Sequence, residues 1–343
     1  MKKMGCNLKD LSNPIKIELS SLVGKKVGID AFLVAFQFLT SIRDRGETGD
    51  GGPLRDSKGR PVSHLMGFLD RTTGLLEKGI IPIFIFDGEH PDLKADTIAM
   101  RRQSSVEAEK KWKDALEIGD YKEAQKWAQR CVRYTPEMVE ETIEMLHLLG
   151  VPAFRAAAEG EAQAAVMAAK GDIDIVATQD WDALLYGAPI LIRNIMSDGS
   201  KRMGRTIKAE KIILNELLTG NELTREELVD LGIMIGTDFH PGIKGIGPKT
   251  GLKLIRKFGN IENICAEKEI DVPENLNLIR EIFLNHPINE NYDLNLKPVN
   301  LESLKKWLLS RDFSDARIER NFKRLEKSSQ VRNIGQSSLS DFF

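Results

Sequence analysis

The chain has 343 residues, 41% of them apolar, enough to bury a substantial core in one large domain or two closely joined ones. Its 49 basic and 51 acidic side chains leave a net charge of -2, which excludes a uniformly basic binder of polyanions; any basic surface must be segregated from an acidic one. Three distant cysteines, Cys6, Cys131 and Cys265, exclude a disulfide frame or a CxxC zinc site, and no apolar stretch approaches the roughly 20 residues that a bilayer span needs. The lysine-bearing N-terminus is not followed by an apolar region of signal-peptide type, so a reduced protein of the cytoplasm, or of the nucleus if its cell has one, is expected.

The first apolar run of strand length, Lys26-Val-Gly-Ile-Asp30, ends in a carboxylate. Residues 46–61, rich in glycine and charge, read as a loop with little to order it. Residues 63–79 have helical period, and the run after them, Ile81-Pro-Ile-Phe-Ile-Phe-Asp87, again ends in aspartate. From 93 to 133 the composition shifts to charged helix formers, among them Arg101, Arg102, Lys110, Lys111, Lys113, Lys122, Lys126 and Arg130. Mixed charge with weak apolar periodicity predicts helices that project from the core; a solvated hairpin with no role is the plainer alternative.

A helix is predicted over 135–149, and a third run, Ile173-Asp-Ile-Val-Ala-Thr-Gln-Asp180, closes like the first two. This alternation predicts an α/β fold, a mostly parallel sheet wrapped by helices, with its ligand site beyond the carboxyl ends of the strands. Asp30, Asp87 and Asp180 should therefore meet on one edge. Beyond 223 the chain reads as helical over 225–235, 249–258, 276–283 and 301–309, and the polar stretch 328–338 reads as a flexible linker.

Further acids join the strand-end aspartates: Glu159-Gly-Glu161, Asp180-Trp-Asp182, and Asp238 after the apolar run 231–235. Glu159 and Glu161 precede a strong helix former, so either one alone reads as a cap favoured by the helix dipole. Seven carboxylates together, Asp30, Asp87, Glu159, Glu161, Asp180, Asp182 and Asp238, would repel strongly unless cations sat among them. All-oxygen donors select hard ions, Mg²⁺ or Mn²⁺, and two such ions roughly 4 Å apart could drive in-line attack on a phosphodiester. No Ser-His-Asp set, Walker loop or dinucleotide fingerprint competes.

Residues 242–251, Gly-Ile-Lys-Gly245-Ile-Gly247-Pro-Lys249-Thr-Gly, place close glycines before a proline suited to a helix's first turn. A turn of this kind brings backbone N–H groups toward a phosphate, and Lys249 adds a point charge; a merely tight turn is the alternative. The surrounding stretch 242–259 holds Lys244, Lys249, Lys253, Arg256 and Lys257 with no acid. At the other end, Gln336-Ser-Ser-Leu339-Ser-Asp-Phe342-Phe343 sets Leu339, Phe342 and Phe343 at i, i+3 and i+4, one apolar face of a helical turn. The tail looks like a sliding-clamp docking peptide, because terminal aromatics need a pocket, on a partner or on the chain's own body.

In this order the motifs Val27-Gly-Ile-Asp30-Ala, Phe84-Ile-Phe-Asp87-Gly, Glu159-Gly-Glu161-Ala-Gln-Ala, Thr178-Gln-Asp180-Trp-Asp182, Ile235-Gly-Thr-Asp238 and Gly242-Ile-Lys-Gly-Ile-Gly-Pro-Lys249 resemble the flap endonucleases of the XPG-like 5′ nuclease superfamily, over essentially the whole chain. The resemblance implies a PIN-like nuclease core that cuts DNA near the base of a 5′ flap, with weaker 5′ exonuclease activity, in Okazaki fragment maturation and repair. It implies two Mg²⁺ ions, with Mn²⁺ as a substitute: Asp30, Asp87, Glu159 and Glu161 toward one, and Asp180, Asp182 and Asp238 toward the other. Lys94 and Arg101 match basic residues that reach the scissile phosphate from a helical arch over 93–133, Asp180 being counted with them as catalytic. Phe36 matches an aromatic that stacks on a displaced base, worth ~1 to 3 kcal/mol.

Arg43, Arg71, Glu159, Asp238, Gly245, Gly247 and Lys249 complete the implied DNA contacts, the last three in a helix-two-turn-helix that holds duplex backbone, often through a monovalent cation. Gln336, Leu339, Phe342 and Phe343 are the implied clamp contacts. The expected layout is a core over 1–327, comprising an N-terminal nuclease region (1–105), the arch, an internal region (134–260) that contains the helix-two-turn-helix (239–259), and a C-terminal helical region (261–327). Linker and docking peptide follow over 328–343, and a monomer is the default.

Two departures stand out. Family members commonly begin Met-Gly, whereas Met4-Gly5 here follows Met1-Lys-Lys, so that translation starts at Met4 or three extra residues lie near DNA; and the basic nuclear tail of eukaryotic relatives does not follow Phe343, which points to an archaeal type. A sibling nuclease of bubbles, nicks or junctions, and a non-catalytic clamp-bound scaffold, are the competing readings.

Overall fold

A computed structural model describes residues 6–89, 92–202 and 204–340. In chain order the elements begin with β1 (Ile15–Ile17), β2 (Lys26–Asp30), α1 (Ala31–Ser41), α2 (Ser63–Glu77) and β3 (Ile81–Phe86). Next come α3 (Ala95–Glu117), α4 (Tyr121–Ala128), α5 (Pro136–Leu148), β4 (Ala153–Arg155), α6 (Gly160–Lys170), β5 (Ile175–Ala177), α7 (Asp182–Leu185) and β6 (Ile190–Arg193). A small hairpin of β7 (Lys201–Arg202) and β8 (Arg205–Thr206) leads to β9 (Ala209–Ile213), α8 (Leu214–Gly220) and α9 (Arg225–Ile235). The chain continues as α10 (Pro248–Phe258), α11 (Ile261–Glu267), α12 (Leu276–Leu284), α13 (Leu301–Leu309) and α14 (Asp315–Ser340).

The central sheet has the order β1-β9-β6-β5-β2-β3-β4. β6, β5, β2, β3 and β4 run parallel, while β9 and β1 are antiparallel additions on one side. Strand alternation sends side chains to opposite faces. Phe84 and Phe86 of β3 join Val27 and Ile29 of β2 in a core under α1, α2, α5, α13 and α14, whereas Ile83 and Ile85 enter a second core with α6, α7 and α9–α12. Phe38, Phe68 and Phe84 stack edge to face across the first core, at centroid distances of 5.4 and 5.3 Å. At Gly67 a Cβ would lie 2.2 Å from the Phe38 ring, so α2 can approach α1 only without a side chain there.

Two expectations are corrected. Residues 328–338, expected as a linker, are helical backbone within α14. From 315 to 340 the sequence has no proline and a single glycine, Gly335, and polarity alone does not stop a helix. The first part of α14 is fastened along α2: Asn321 accepts from Thr73 at 2.6 Å in a buried contact, Arg320 pairs with Asp70 and Lys327 with Glu77. The loop 46–61 is likewise held, through bridges at Arg43–Pro53 and Arg55–Pro61 and through Asp56, which accepts from Arg60. The Ser57 amide donates to Asp312, so this loop is fixed from outside as well.

His64, at the start of α2, is fully buried, lies edge-on to Tyr134 and has neither ring nitrogen hydrogen-bonded. Burial pulls its pKa from 6.5 down to about 3. The unfolded chain therefore takes up this proton below about pH 6.5 and the folded chain does not, so stability falls as pH drops through that window. Between pH 6.5 and 4.5 a loss on the order of 2 kcal/mol is expected from this group, and His64→Leu should remove it. Urea unfolding of both proteins at the two pH values checks this; equal pH slopes would contradict it.

Candidate metal centre and nucleic-acid interface

The strand order places consecutive parallel strands β5, β2, β3 and β4 side by side, and each leads into an acid: Asp180, Asp30, Asp87 and Glu159. Asp30 caps α1, accepting from the Leu33 amide at 3.1 Å and from the Thr178 hydroxyl at 2.9 Å. Asp87 accepts from the Gly160 amide at 2.9 Å, the first turn of α6, whose N-cap is the buried Glu159 and whose first turn carries Glu161. Carboxylate oxygens of Asp87, Glu159 and Glu161 lie within 4.8 Å of one another. Asp180 accepts from the Asp182 amide at 3.1 Å, and Asp182 from the Cys6 amide at 3.0 Å. Asp238 arrives differently, from the loop after α9.

The electrostatics tie all seven into one group. Burial first, then Asp87, pushes Asp30 up to about 7. Glu161 is raised by burial, Glu159 and Asp30; Asp180 by burial and Asp238; Asp182 by burial and Asp180. Buried carboxylates that each disfavour the other's charge fit hard cations by donor type and by count. Lys94, at the foot of α3, lies between the two halves of the group: its ammonium pairs with Glu159 and lies 3.4 Å from Asp238. Burial alone would lower the Lys94 pKa, but Glu159, Glu161 and Asp238 outweigh it and hold the ammonium charged. Arg101, about two turns on, donates to Asp238 at 2.7 Å, and Thr97 donates to the Asp238 carbonyl at 2.8 Å.

A cleft of about 1100 Å³ adjoins this edge, lined by Phe36, Arg45, Arg71, Arg130 and Lys201 among others. Phe36 is half-buried against Phe32, with centroids 5.2 Å apart. Arg71 is braced by the Asp198 carbonyl at 3.3 Å and the Ser200 hydroxyl at 2.6 Å. Arg43 points elsewhere, donating to the carbonyls of Gly51 and Gln125. Further along, Gly245 has φ +85 and Gly247 caps α10, and a Cβ on either would meet nothing within 4 Å among the described residues, so the backbone there is open to a ligand. Lys244, Lys249, Lys253, Arg256 and Lys257 are all exposed around it. Gln336 and Leu339 fall on the α14 backbone, while Phe342 and Phe343 lie outside the described residues, as do Met1 to Gly5.

Family models described as the XPG N-terminal domain and the XPG I-region match residues 6–108 and 150–238. Flap endonuclease 1 of Pyrococcus furiosus is 42% identical over 348 residues, covering 99% of each chain. The chain belongs to the flap endonuclease family. The structure of flap endonuclease-1 from Methanococcus jannaschii, 38% identical, superposes with a TM-score of 0.75 over 95% of this chain and 100% of that one. The catalytic core of Rad2 in complex with DNA substrate shares the fold at 22% identity, with a TM-score of 0.69 over 92% and 96% of the two chains. This flap endonuclease is thus a metal-dependent nuclease that hydrolyses DNA phosphodiester bonds at 5′ flaps.

Three groups that brace the acids were not expected from the sequence: Thr178 beneath Asp30, Thr97 on the Asp238 carbonyl, and the Cys6 amide on Asp182. Thr178 sits inside a motif already singled out, so its position two residues before Asp180 was the available signal. The other two contacts span 141 and 176 residues and leave no local trace.

Proposed function

We propose that this flap endonuclease cuts near the base of 5′ flaps with two Mg²⁺ ions, one held by Asp30, Asp87, Glu159 and Glu161 and the other by Asp180, Asp182 and Asp238. The observation that carries this reading is Lys94, a buried ammonium in contact with acids of both groups at the foot of the arch. Bound ions would supply an activated water and charge for the leaving oxygen. The chain's own residues do the rest. Lys94 and Arg101 bring positive charge to the edge where the scissile phosphate would lie. Phe36 offers a half-buried ring to an unpaired base, and the open backbone at Gly245 and Gly247 with Lys249 holds duplex phosphates, which positions DNA without reading sequence. A monovalent cation at that turn belongs to the same reading.

Cleavage of a 5′-labelled double-flap DNA, beside blunt and bubble controls, tests the proposal on a denaturing gel with Mg²⁺ and then with EDTA. A single Mg²⁺-dependent product at the flap base is expected. Preference for the bubble would move the enzyme to its sibling nucleases, and equal cutting in EDTA would remove the metals.

The tail is proposed to dock on a replication sliding clamp through Gln336, Leu339, Phe342 and Phe343, recruiting a monomeric, cytoplasmic enzyme to Okazaki fragments and repair sites. Phe342→Ala with Phe343→Ala should weaken clamp binding by about 2 kcal/mol or more while basal cleavage stays at the parent rate. Calorimetric titration with the clamp is the check, and unchanged affinity would refute the docking.

A further inference from the structure

The loop that follows α1 is seated on the arch. Residues 43–52 close on themselves, with the Asp44 amide donating to the Gly52 carbonyl at 3.0 Å and the Gly51 amide returning to the Asp44 carbonyl at 3.1 Å. The carbonyls left over face α3 and α4. Trp112 of α3 donates its indole N–H to the Asp50 carbonyl at 2.8 Å, and Gln125 of α4 donates to the carbonyls of Gly46 and Gly49, each at 3.2 Å. Arg43 completes the contact, its Nη1 bridging the carbonyls of Gly51 at 3.1 Å and Gln125 at 3.2 Å. Gly51 is buried with φ +73, and a Cβ there would lie 2.5 Å from the Gln125 Cα, so loop and helix touch at backbone distance.

Every bond in this contact uses a backbone carbonyl of one side and a long side chain of the other or of the loop's own root. A Gly-rich loop of this kind has little order of its own and gains it from the helices, as the helices gain a fixed direction from it. That direction matters at the other end of α3. The helix is continuous from Ala95 to Glu117, so Trp112 and Arg101 are rigidly connected across about 16 Å. α4 packs against α3, and Ala108 and Ala115 of the one helix and Ala124 and Ala128 of the other are all buried.

We propose that residues 43–52 form a clasp that sets the direction of the arch and thereby holds Lys94 and Arg101 over the carboxylates. Trp112, Gln125 and Gly51 are positioning residues for cleavage, and Arg43 belongs to the clasp in place of the DNA contact expected of it. The proposal rests on the flap-cutting reading only for its kinetic part; the structural part is readable without DNA.

Two variants of the full-length enzyme test it. Gly51→Ala pushes the loop off Gln125 without removing any hydrogen-bonding side chain, and Trp112→Phe with Gln125→Ala removes the donors that the arch supplies while keeping the loop and Arg43. In both, hydrogen–deuterium exchange over 105–130 is expected to quicken about tenfold without DNA, with exchange in the sheet unchanged. Single-turnover cleavage at saturating flap DNA should fall about tenfold while affinity for the flap stays within about twofold. In a Lys94→Ala/Arg101→Ala background the same changes should cost nothing further, because the clasp acts through those residues. Unchanged exchange in both variants overturns the clasp. Faster exchange with undiminished turnover, or an equal loss in the double-alanine background, overturns its positioning role.

Discussion

Asp180→Ala should bind a 5′ flap substrate nearly as well as the parent enzyme and cut it about three or more orders of magnitude more slowly, a loss of about 4 kcal/mol in the barrier. The carboxylate lies at the end of β5, half-buried, next to Asp182 and within the field of Asp238. Removing it takes one donor from a set of three, leaving the ion they would share with water in its place. On the proposed reading, binding rests on a different surface, the exposed lysines of 244–257 and the cleft beside Phe36, whose lining does not include Asp180. Anisotropy with a labelled flap and rapid-quench cleavage on the same preparation separate the two effects. Cleavage near the parent rate would show that the metal assignment is wrong.

For Lys94→Ala two losses are expected together. Turnover should fall by about two to three orders of magnitude, more than binding, since a preorganised cation counts most when charge develops on the phosphate. Stability in EDTA should fall as well, by about 3 kcal/mol or more, because Glu159 and Asp238 lose a buried cation among acids that already repel one another. Mg²⁺ should recover much of that stability, since an ion bound only by the folded state adds RT ln(1 + c/Kd) at free concentration c. Thermal melts with and without Mg²⁺, beside single-turnover rates, provide the check. Equal losses in affinity and catalytic efficiency would reduce Lys94 to an ordinary phosphate contact.

The acids were legible in the sequence because of where they stand. An apolar run that stops at a carboxylate announces both a strand and an edge residue, and Asp30, Asp87 and Asp180 fall where that logic puts them. Asp238 was visible as an acid after an apolar run, but that run is helix α9, so its approach to the strand ends depends on packing that no local pattern records. The antiparallel side of the sheet was not legible: β1 has three residues and β9, Ala-Glu-Lys-Ile-Ile, mixes charge with its apolar positions. Composition misled at 328–338, where polar residues without proline continue a helix. It misled again at 46–61, where glycine content reads as looseness while the partners, Trp112, Gln125 and Asp312, lie far along the chain.

The strand-end acids stand at or just past the ends of strands in one hydrogen-bonded sheet, whereas the arch, the loop that clasps it and the glycine turn at 242–247 are all segments threaded between or after strands. A ladder transmits little of what happens in such insertions, because each strand is held by its neighbours. A change of length or charge confined to such segments can therefore leave Asp30, Asp87, Glu159 and Asp180 in place. Lys94, Arg101 and Asp238 ride on those segments instead, so part of the charge around the acids would move with them while the strand-end carboxylates stay where the sheet puts them.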